Sequence, residues 1–199
     1  MYRIAITGKA NCGKNTLSRM LIRLLRDQKG HYISAKQLAF ADPIKEMIRQ
    51  MLPTLPKKYL YGPSKFRNEF IPGAFKDGQP LTIRQLLKDI GTEMGRNYMP
   101  AVWLNNFDYR FEQVKHRSIV IVTDVRFRNE FEHLRRKGFY QIRLYRNTGA
   151  SAPTDVHVSE TDQDSIADHE FDYILHNDYA LRDLKAEVVN QIIPRLYDV

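Results

Sequence analysis

The chain of 199 residues has a single cysteine, Cys12, so no intrachain disulfide can staple it, and a reducing compartment suits it. It has a single tryptophan, Trp103, which reads as core before ligand contact. No apolar run approaches the roughly twenty residues of a membrane span. The first residues run straight into a strand pattern, so neither a signal peptide nor a membrane partner is expected, and placement in the cytoplasm follows as an expectation. Zinc-ligand spacing is absent: His157 and Glu160 have no cysteine or second histidine to complete a site. There is no internal repeat, no low-complexity tract and no Lys/Arg-rich arm. Nor is there the aromatic and basic interleaving that stacks single-stranded nucleic acid, so no stable nucleic-acid partner is expected. What the chain does have is positive charge, net +8 from 31 Lys and Arg against 23 Asp and Glu. That balance suits anionic ligands without choosing among nucleotides, nucleic acid and anionic membranes. A hydrophobic fraction of 43% is enough for a core, and the length suits one domain over residues 1–199.

One stretch organises the rest. Ile4-Ala5-Ile6-Thr7 leads into Gly8-Lys9-Ala10-Asn11-Cys12-Gly13-Lys14-Asn15-Thr16, and an amphipathic run follows from Leu17 to Leu25. Strand, glycine-bounded loop, lysine and helix is the setting in which G-x-x-x-x-G-K is a phosphate site. The glycines let the backbone curl so that N–H groups converge. The helix start adds partial positive charge and the lysine a mobile full one. Asn15 stands where Ser or Thr usually offers a hydroxyl to magnesium. Its amide oxygen can face a metal too, and Thr16 carries a hydroxyl one place on. Cys12, near the helix start and Lys14, occupies a position that favours a reactive thiol, so alkylation is expected to inactivate; a shielded and inert thiol is the equal alternative.

Along the chain, strands are expected at Tyr2–Thr7, Lys36–Phe40, Ser118–Thr123, Phe139–Tyr145 and Phe171–Leu175. Helices are expected over Lys14–Asp27, Ile44–Met51, Ile83–Met94, Ala101–Val114, Asn129–Lys137 and Leu181–Ile193. Leu52–Leu81 reads as irregular, and Asn147–Asp164 as a polar excursion. Strands alternating with helices give an α/β fold with a five-stranded, mostly parallel sheet in a three-layer sandwich. Asp42 suits two roles equally: a cap for the helix after Pro43, or a ligand contact at the carboxyl end of a strand. Asp124 ends the most apolar strand. It can order magnesium there, or cap the next helix, and Arg126 and Arg128 beside it favour the first role.

Taken in order, these segments resemble the bacteriophage deoxynucleoside monophosphate kinases, within the nucleoside monophosphate kinase-like P-loop group. The resemblance rests on Gly8 with Gly13-Lys14-Asn15-Thr16, on Phe40-Ala41-Asp42-Pro43-Ile44-Lys45, and on Arg84-Gln85-Leu86-Leu87 with Gly91-Thr92-Glu93. It continues through Thr123-Asp124-Val125-Arg126-Phe127-Arg128-Asn129-Glu130, His157-Val158-Ser159-Glu160 and Asn177-Asp178. It implies phosphoryl transfer from ATP to a deoxynucleoside monophosphate, with Mg²⁺, an acceptor-binding insertion over about 44–116 and a lid over about 146–165. It also implies roles. Residues Gly8 to Thr16 hold ATP, with Lys14 on the β- and γ-oxygens. Asn15 or Thr16 joins Asp124 at the metal. Arg126 bridges the phosphates, and Glu130 fixes Arg126 across a helical turn. Asp42, Lys45, Arg84, Glu93 and Arg128 lie on the acceptor side, Arg84 foremost. Arg143 and Arg146 are weaker candidates to reach in with the lid. Family members often have Asp after the P-loop lysine, so Asn15 is a departure. A homodimer fits the resemblance, as does the host cytoplasm if the source is viral. Two rivals stand beside it: another small-molecule kinase of the dephospho-coenzyme A kinase type, and a nucleic-acid-binding P-loop ATPase.

Overall fold

The computed structural model describes residues 2–28, 34–116, 118–146, 162–178 and 180–197, so the expected contributions of His157 and Glu160 and most of the expected lid lie outside the described residues. The chain divides into two compact units, residues 1–39 with 109–199, and residues 40–108.

The first unit is built on one sheet. β1 (Arg3–Thr7), β2 (Ser34–Leu38), β5 (Ser118–Val125), β6 (Tyr140–Tyr145) and β7 (Tyr173–His176) lie in the order β2-β5-β1-β6-β7, and every neighbouring pair is parallel. Both faces are covered, as a parallel sheet requires. Ile4, Ile6, Ile119 and Ile121 pack with Leu17, Leu21 and Leu25 of α1 (Lys14–Gln28). The leucines recur every four residues and so line one side of that helix. Ala5, Val120 and Val122 alternate with those isoleucines and are buried on the other face. Burying one leucine stabilises by roughly 1.5–3 kcal/mol, so this stripe anchors α1 and with it the loop that opens the helix. The C-terminal run also joins this core through Leu184, Val188, Ile192 and Leu196. It comprises α7 (Leu181–Glu187), a π-helical stretch Val188–Ile192 and α8 (Ile193–Tyr197). α6 (Arg128–Arg136) follows β5 and buries Phe131 and Leu134.

The second unit holds α2 (Asp42–Met51), the short α3 (Lys58–Tyr61), a hairpin of β3 (Phe70–Lys76) and β4 (Gln79–Thr82), and α4 (Ile83–Lys88). α4 runs on into a π-helical stretch, Asp89–Arg96, and α5 (Val102–Glu112) leads the chain back to the first unit. The hairpin corrects the expectation of irregular chain over Leu52–Leu81. Its signal was Asp77-Gly78, both at positive φ (50° and 75°), the turn that joins antiparallel strands. Exposure of most of both strands, with Pro72 and Pro80 inside them, erased the alternation that would have announced it. Other boundaries moved by a few residues: β2 starts two residues earlier than expected, and β7 starts at Tyr173. Trp103 is core, 4% exposed, and its indole N–H donates to the Gly91 carbonyl at 2.7 Å. Among the described residues no helix is long and apolar enough to cross a membrane.

Candidate active site

In the first unit the chain leaves β1 at Thr7 and turns through Gly8 to Gly13 into α1. A Cβ on Gly8 would lie 2.4 Å from the Leu144 carbonyl oxygen of β6, and one on Gly13 would lie 2.5 Å from Asn177 Nδ2. Gly13 also has φ of 108°, and Asn11 reaches 62°, backbone that side chains rarely adopt. Such a curl gathers N–H groups into an anion cradle. α1 contributes no acidic residue in its first turn, so its positive end is left for an incoming anion. Lys14 Nζ folds over the loop, donating to the carbonyls of Gly8 at 2.5 Å and Lys9 at 2.7 Å. Lys9 itself pairs at 2.9 Å with Asp164, both side chains exposed. Asn15 is exposed and Thr16 half-buried, its N–H donating to the Gly13 carbonyl at 2.9 Å. Cys12 is 2% exposed, with its sulfur 3.7 Å from Lys14 Nζ. Of the two readings of this thiol, that burial favours the shielded one.

Asp124 lies beside this loop by strand register. Ala5 pairs with Val122, but Thr7 pairs with Val125, so β5 carries one residue more than β1 between those pairs. The extra residue makes a bulge at Thr123-Asp124, and bulges re-aim side chains next to active sites. Gln37 Nε2 holds Thr123 Oγ1 at 2.8 Å. The capping alternative for Asp124 fails, because Phe127 is the residue at the start of α6. Glu130 performs that task from the third helical position. Its Oε2, on a side chain 1% exposed, accepts the N–H of Arg126 at 2.8 Å and of Phe127 at 3.2 Å. Glu130 therefore fixes the backbone that carries Arg126. Both of these bonds run to main-chain N–H groups, beside the side-chain pairing across a helical turn that was expected.

Two arginines bond to residues 163–170. Arg128 sends both terminal nitrogens to Glu170 (2.9 and 2.6 Å), Nε to Glu132 (3.0 Å) and a further bond to the Ser165 carbonyl (3.2 Å). Glu132 first and Glu170 second raise its pKa above the ordinary value. The Glu170 carboxyl is held below its own by the Ala167 N–H and then by Arg128. Arg128, expected on the acceptor side, thus braces residues 165–170 through these bonds. Arg143, 6% exposed, donates to the carbonyls of Ile166 (2.6 Å) and Gln163 (3.1 Å) and to Asp168 (2.9 Å). It lies against the rings of Tyr145 and Phe171 and secures the same segment.

Within the second unit, Thr82 caps α4 by accepting the Gln85 N–H at 3.1 Å. That places Arg84 in the first turn, where Nε donates to Asn68 Oδ1 at 2.7 Å. Asp42 is the first residue of α2 with Ala41 ahead of it, so it is not the cap. Its carboxylate pairs with Lys45 at 3.3 Å, and Lys45 also lies over the Tyr61 ring. Glu93 sits in the π-helical stretch and accepts a long contact from Asn97 at 3.5 Å.

The family profile of deoxynucleotide monophosphate kinases matches residues 64–188. The chain belongs to the deoxynucleotide monophosphate kinase family. Its match takes in Arg84, Glu93, Asp124, Arg126, Glu130 and Asn177, while the phosphate loop lies ahead of it. A protein of Acanthamoeba polyphaga mimivirus, provisionally named deoxynucleotide monophosphate kinase, is 27% identical over 96% of this chain and 95% of its own. Among solved structures, the dephospho-CoA kinase of Campylobacter jejuni covers 97% of this chain and 96% of its own, with a TM-score of 0.48 and 17% identity. That likeness is too loose to bear on the acceptor.

A divalent metal in the site of a deoxynucleotide monophosphate kinase would find oxygen donors near the loop in Asn15, Thr16 and Asp124. Among the described residues no three His, Cys, Asp or Glu side chains gather to hold an ion. Magnesium keeps most of its waters and takes one or two protein oxygens plus phosphate, which is what Asp124 with Asn15 or Thr16 would offer. One residue of this kinase had no role assigned from the chain alone. Asn177, 9% exposed at the end of β7, donates its side-chain N–H to the Cys12 carbonyl at 2.8 Å. Asn177-Asp178 did stand out in the ordered motifs, but nothing local said that it would meet a loop 165 residues away.

Proposed function

We propose that this chain transfers the γ-phosphoryl group of ATP to a deoxynucleoside monophosphate, giving ADP and the diphosphate. Family membership supports the reaction, and one structural observation carries the site: a glycine-curled loop opening a long helix, with a lysine folded over it and an aspartate on a bulged strand beside it. An acceptor phosphate oxygen bonds to the γ-phosphorus as the bond to the β-bridging oxygen breaks. The protein makes no covalent bond, so its contribution is position and charge. Gly8 to Thr16 hold the ATP phosphates. Lys14 exchanges the carbonyls of Gly8 and Lys9, which store its ammonium over the loop, for phosphate oxygens. Asp124 with Asn15 or Thr16 holds Mg²⁺, which when bound neutralises phosphate charge. Arg126 faces the transferring group from a backbone clamped by Glu130.

On the acceptor side Arg84 is the principal phosphate contact. Its fork is suited to two-pronged binding, and its Nε bond to Asn68 aligns it. Asp42, Lys45 and Glu93 complete the acceptor set. The test is a coupled assay with ATP, Mg²⁺ and each common monophosphate in deoxy and ribo forms. Diphosphate is expected from at least one deoxynucleotide, with turnover on the order of 1–100 s⁻¹. No diphosphate from any of them overturns the proposal.

A further inference from the structure

Asn177 is remote in sequence from every residue to which the reaction has been assigned, yet it reaches into the phosphate loop. Its own N–H donates to the Tyr145 carbonyl at 2.8 Å, which carries the β6–β7 ladder one step beyond the strand and fixes where its side chain starts. From there Nδ2 meets the Cys12 carbonyl at 2.8 Å. Gly13 leaves the space, since a Cβ on it would stand 2.5 Å from the same nitrogen.

The consequence lies in the Cys12–Gly13 peptide. It is trans, and a planar trans peptide points its C=O and its N–H in opposite directions. Holding the Cys12 carbonyl outward toward β7 turns the Gly13 N–H the other way, toward the hollow of the loop. Among the described residues no main-chain carbonyl outside the helices and strands takes the Gly13 N–H, which leaves it to serve a ligand. We infer that Asn177 is a positioning residue for the ATP phosphates, which sets the direction of the Gly13 N–H by holding the carbonyl behind it. Only the NH₂ end of the amide can face a carbonyl, so an isosteric carboxylate in its place reverses the contact. The inference rests on the loop being the ATP site, and that premise is measured first.

The experiment titrates ATP with Mg²⁺, and separately inorganic tripolyphosphate, into the unaltered chain, Asn177→Ala, Asn177→Asp and Leu175→Ala. Leu175 is a buried core residue on the same strand, and it controls for loss of stability alone. Dissociation constants for both ligands are expected to rise together, about 3- to 10-fold in Asn177→Ala and more than ~10-fold in Asn177→Asp. The Michaelis constant for the acceptor should stay within about twofold. Leu175→Ala should melt at lower temperature but bind both ligands as the unaltered chain does. Unchanged binding in the Asn177 variants overturns the inference. So does weakening that Leu175→Ala shares, which marks a merely structural part, or weakening for ATP but not tripolyphosphate, which marks a contact to the nucleoside. If Asn177→Asp does not fold, Asn177→Ala carries the same comparison. Failure of the unaltered chain to bind ATP would sink the site assignment itself, and is read before any variant.

Discussion

Replacing Glu130 by alanine is the sharpest test of how the turn after β5 is built. The side chain is 1% exposed, and its Oε2 takes the N–H groups of Arg126 and Phe127 at 2.8 and 3.2 Å. A hydrogen bond to a charged group contributes roughly 1.5–3 kcal/mol. Here two donors share one oxygen, and the second bond is long, so their combined loss should cost about 2–4 kcal/mol rather than the full sum. At about 2–4 °C per kcal/mol for a chain of this size, the melting temperature should fall by ~4–16 °C. Glutamine keeps an acceptor oxygen but not the charge, so Glu130→Gln should lose about half as much. The effect on turnover is separate. These N–H groups fix the backbone of Arg126, and a displacement near 1 Å can cost about 100-fold in rate. Glu130→Ala should therefore lower kcat by ~10- to 100-fold with little change in the ATP Michaelis constant. The assay is coupled turnover at saturating substrates, well below the variant's melting temperature, beside differential scanning calorimetry. A melting temperature that falls as expected, with kcat within twofold of the unaltered enzyme, would refute the reasoning: Glu130 would then cap α6 and do nothing for Arg126.

Lysine cannot make the planar two-pronged contact of an arginine. Arg84→Lys should thus raise the acceptor's Michaelis constant by roughly tenfold with kcat little changed, and Arg126→Lys should lower kcat; steady-state kinetics with each substrate varied in turn would show both, and wild-type values would place these arginines outside the site. Cys12, 2% exposed, should resist maleimide labelling in the folded protein and react readily in denaturant, as mass spectrometry would read; prompt stoichiometric labelling of the native chain would contradict the burial. The Glu170 carboxyl is held below its ordinary value of 4.5 by the Ala167 N–H and then Arg128. A depressed carboxylate stabilises above the unfolded value and loses that contribution as pH falls through the folded one, so amide exchange over residues 162–170 should accelerate on acidification below about pH 4.5. Glu170→Gln should remove that dependence, and an unchanged pH profile in the variant would assign it to other carboxylates.

The parts of the fold legible in the chain were those whose signals are local. Ile4-Ala5-Ile6 and Ile119-Val120-Ile121-Val122 are buried on both faces and read as continuous apolar runs. Gly8 to Lys14 sits between one of those runs and an amphipathic helix, so its place in the fold was visible as well. The hairpin was hidden because its strands are mostly exposed and carry prolines, which leaves only the Asp77-Gly78 turn as a cue. The arginines show the other limit. Arg128 and Arg126 are alike in local context, yet the carboxylate that claims Arg128 lies 42 residues away. Spacing could place Glu130 near Arg126, but not say that it would take the backbone N–H of that residue. The contact of Asn177 was equally hidden, although Asn177-Asp178 stood out as a motif, since its partner is a main-chain carbonyl at the far end of the chain.

Asn15 ties these observations to the electrostatics of the proposed site. The first turn of α1 carries no carboxylate, so the helix end and Lys14 are not neutralised from within that turn. An aspartate at this position would sit in the favourable field of the helix start, worth typically 0.3–1 kcal/mol, and would compete with the incoming phosphate for the same positive end. An asparagine leaves that field to the ligand, and its NH₂ can donate to a phosphate oxygen where aspartate cannot. The cost falls on the metal. A hard cation prefers carboxylate oxygen, and with a neutral residue beside the lysine the bulged Asp124 becomes the principal carboxylate of the proposed shell. Phosphate binding is thereby strengthened at the helix, while the demand on one strand residue grows. That residue's direction is set by the extra position that β5 carries opposite β1. On the proposed reading Asn15 and the bulge at Asp124 act as one arrangement: the loop would supply donors, and the strand the carboxylate.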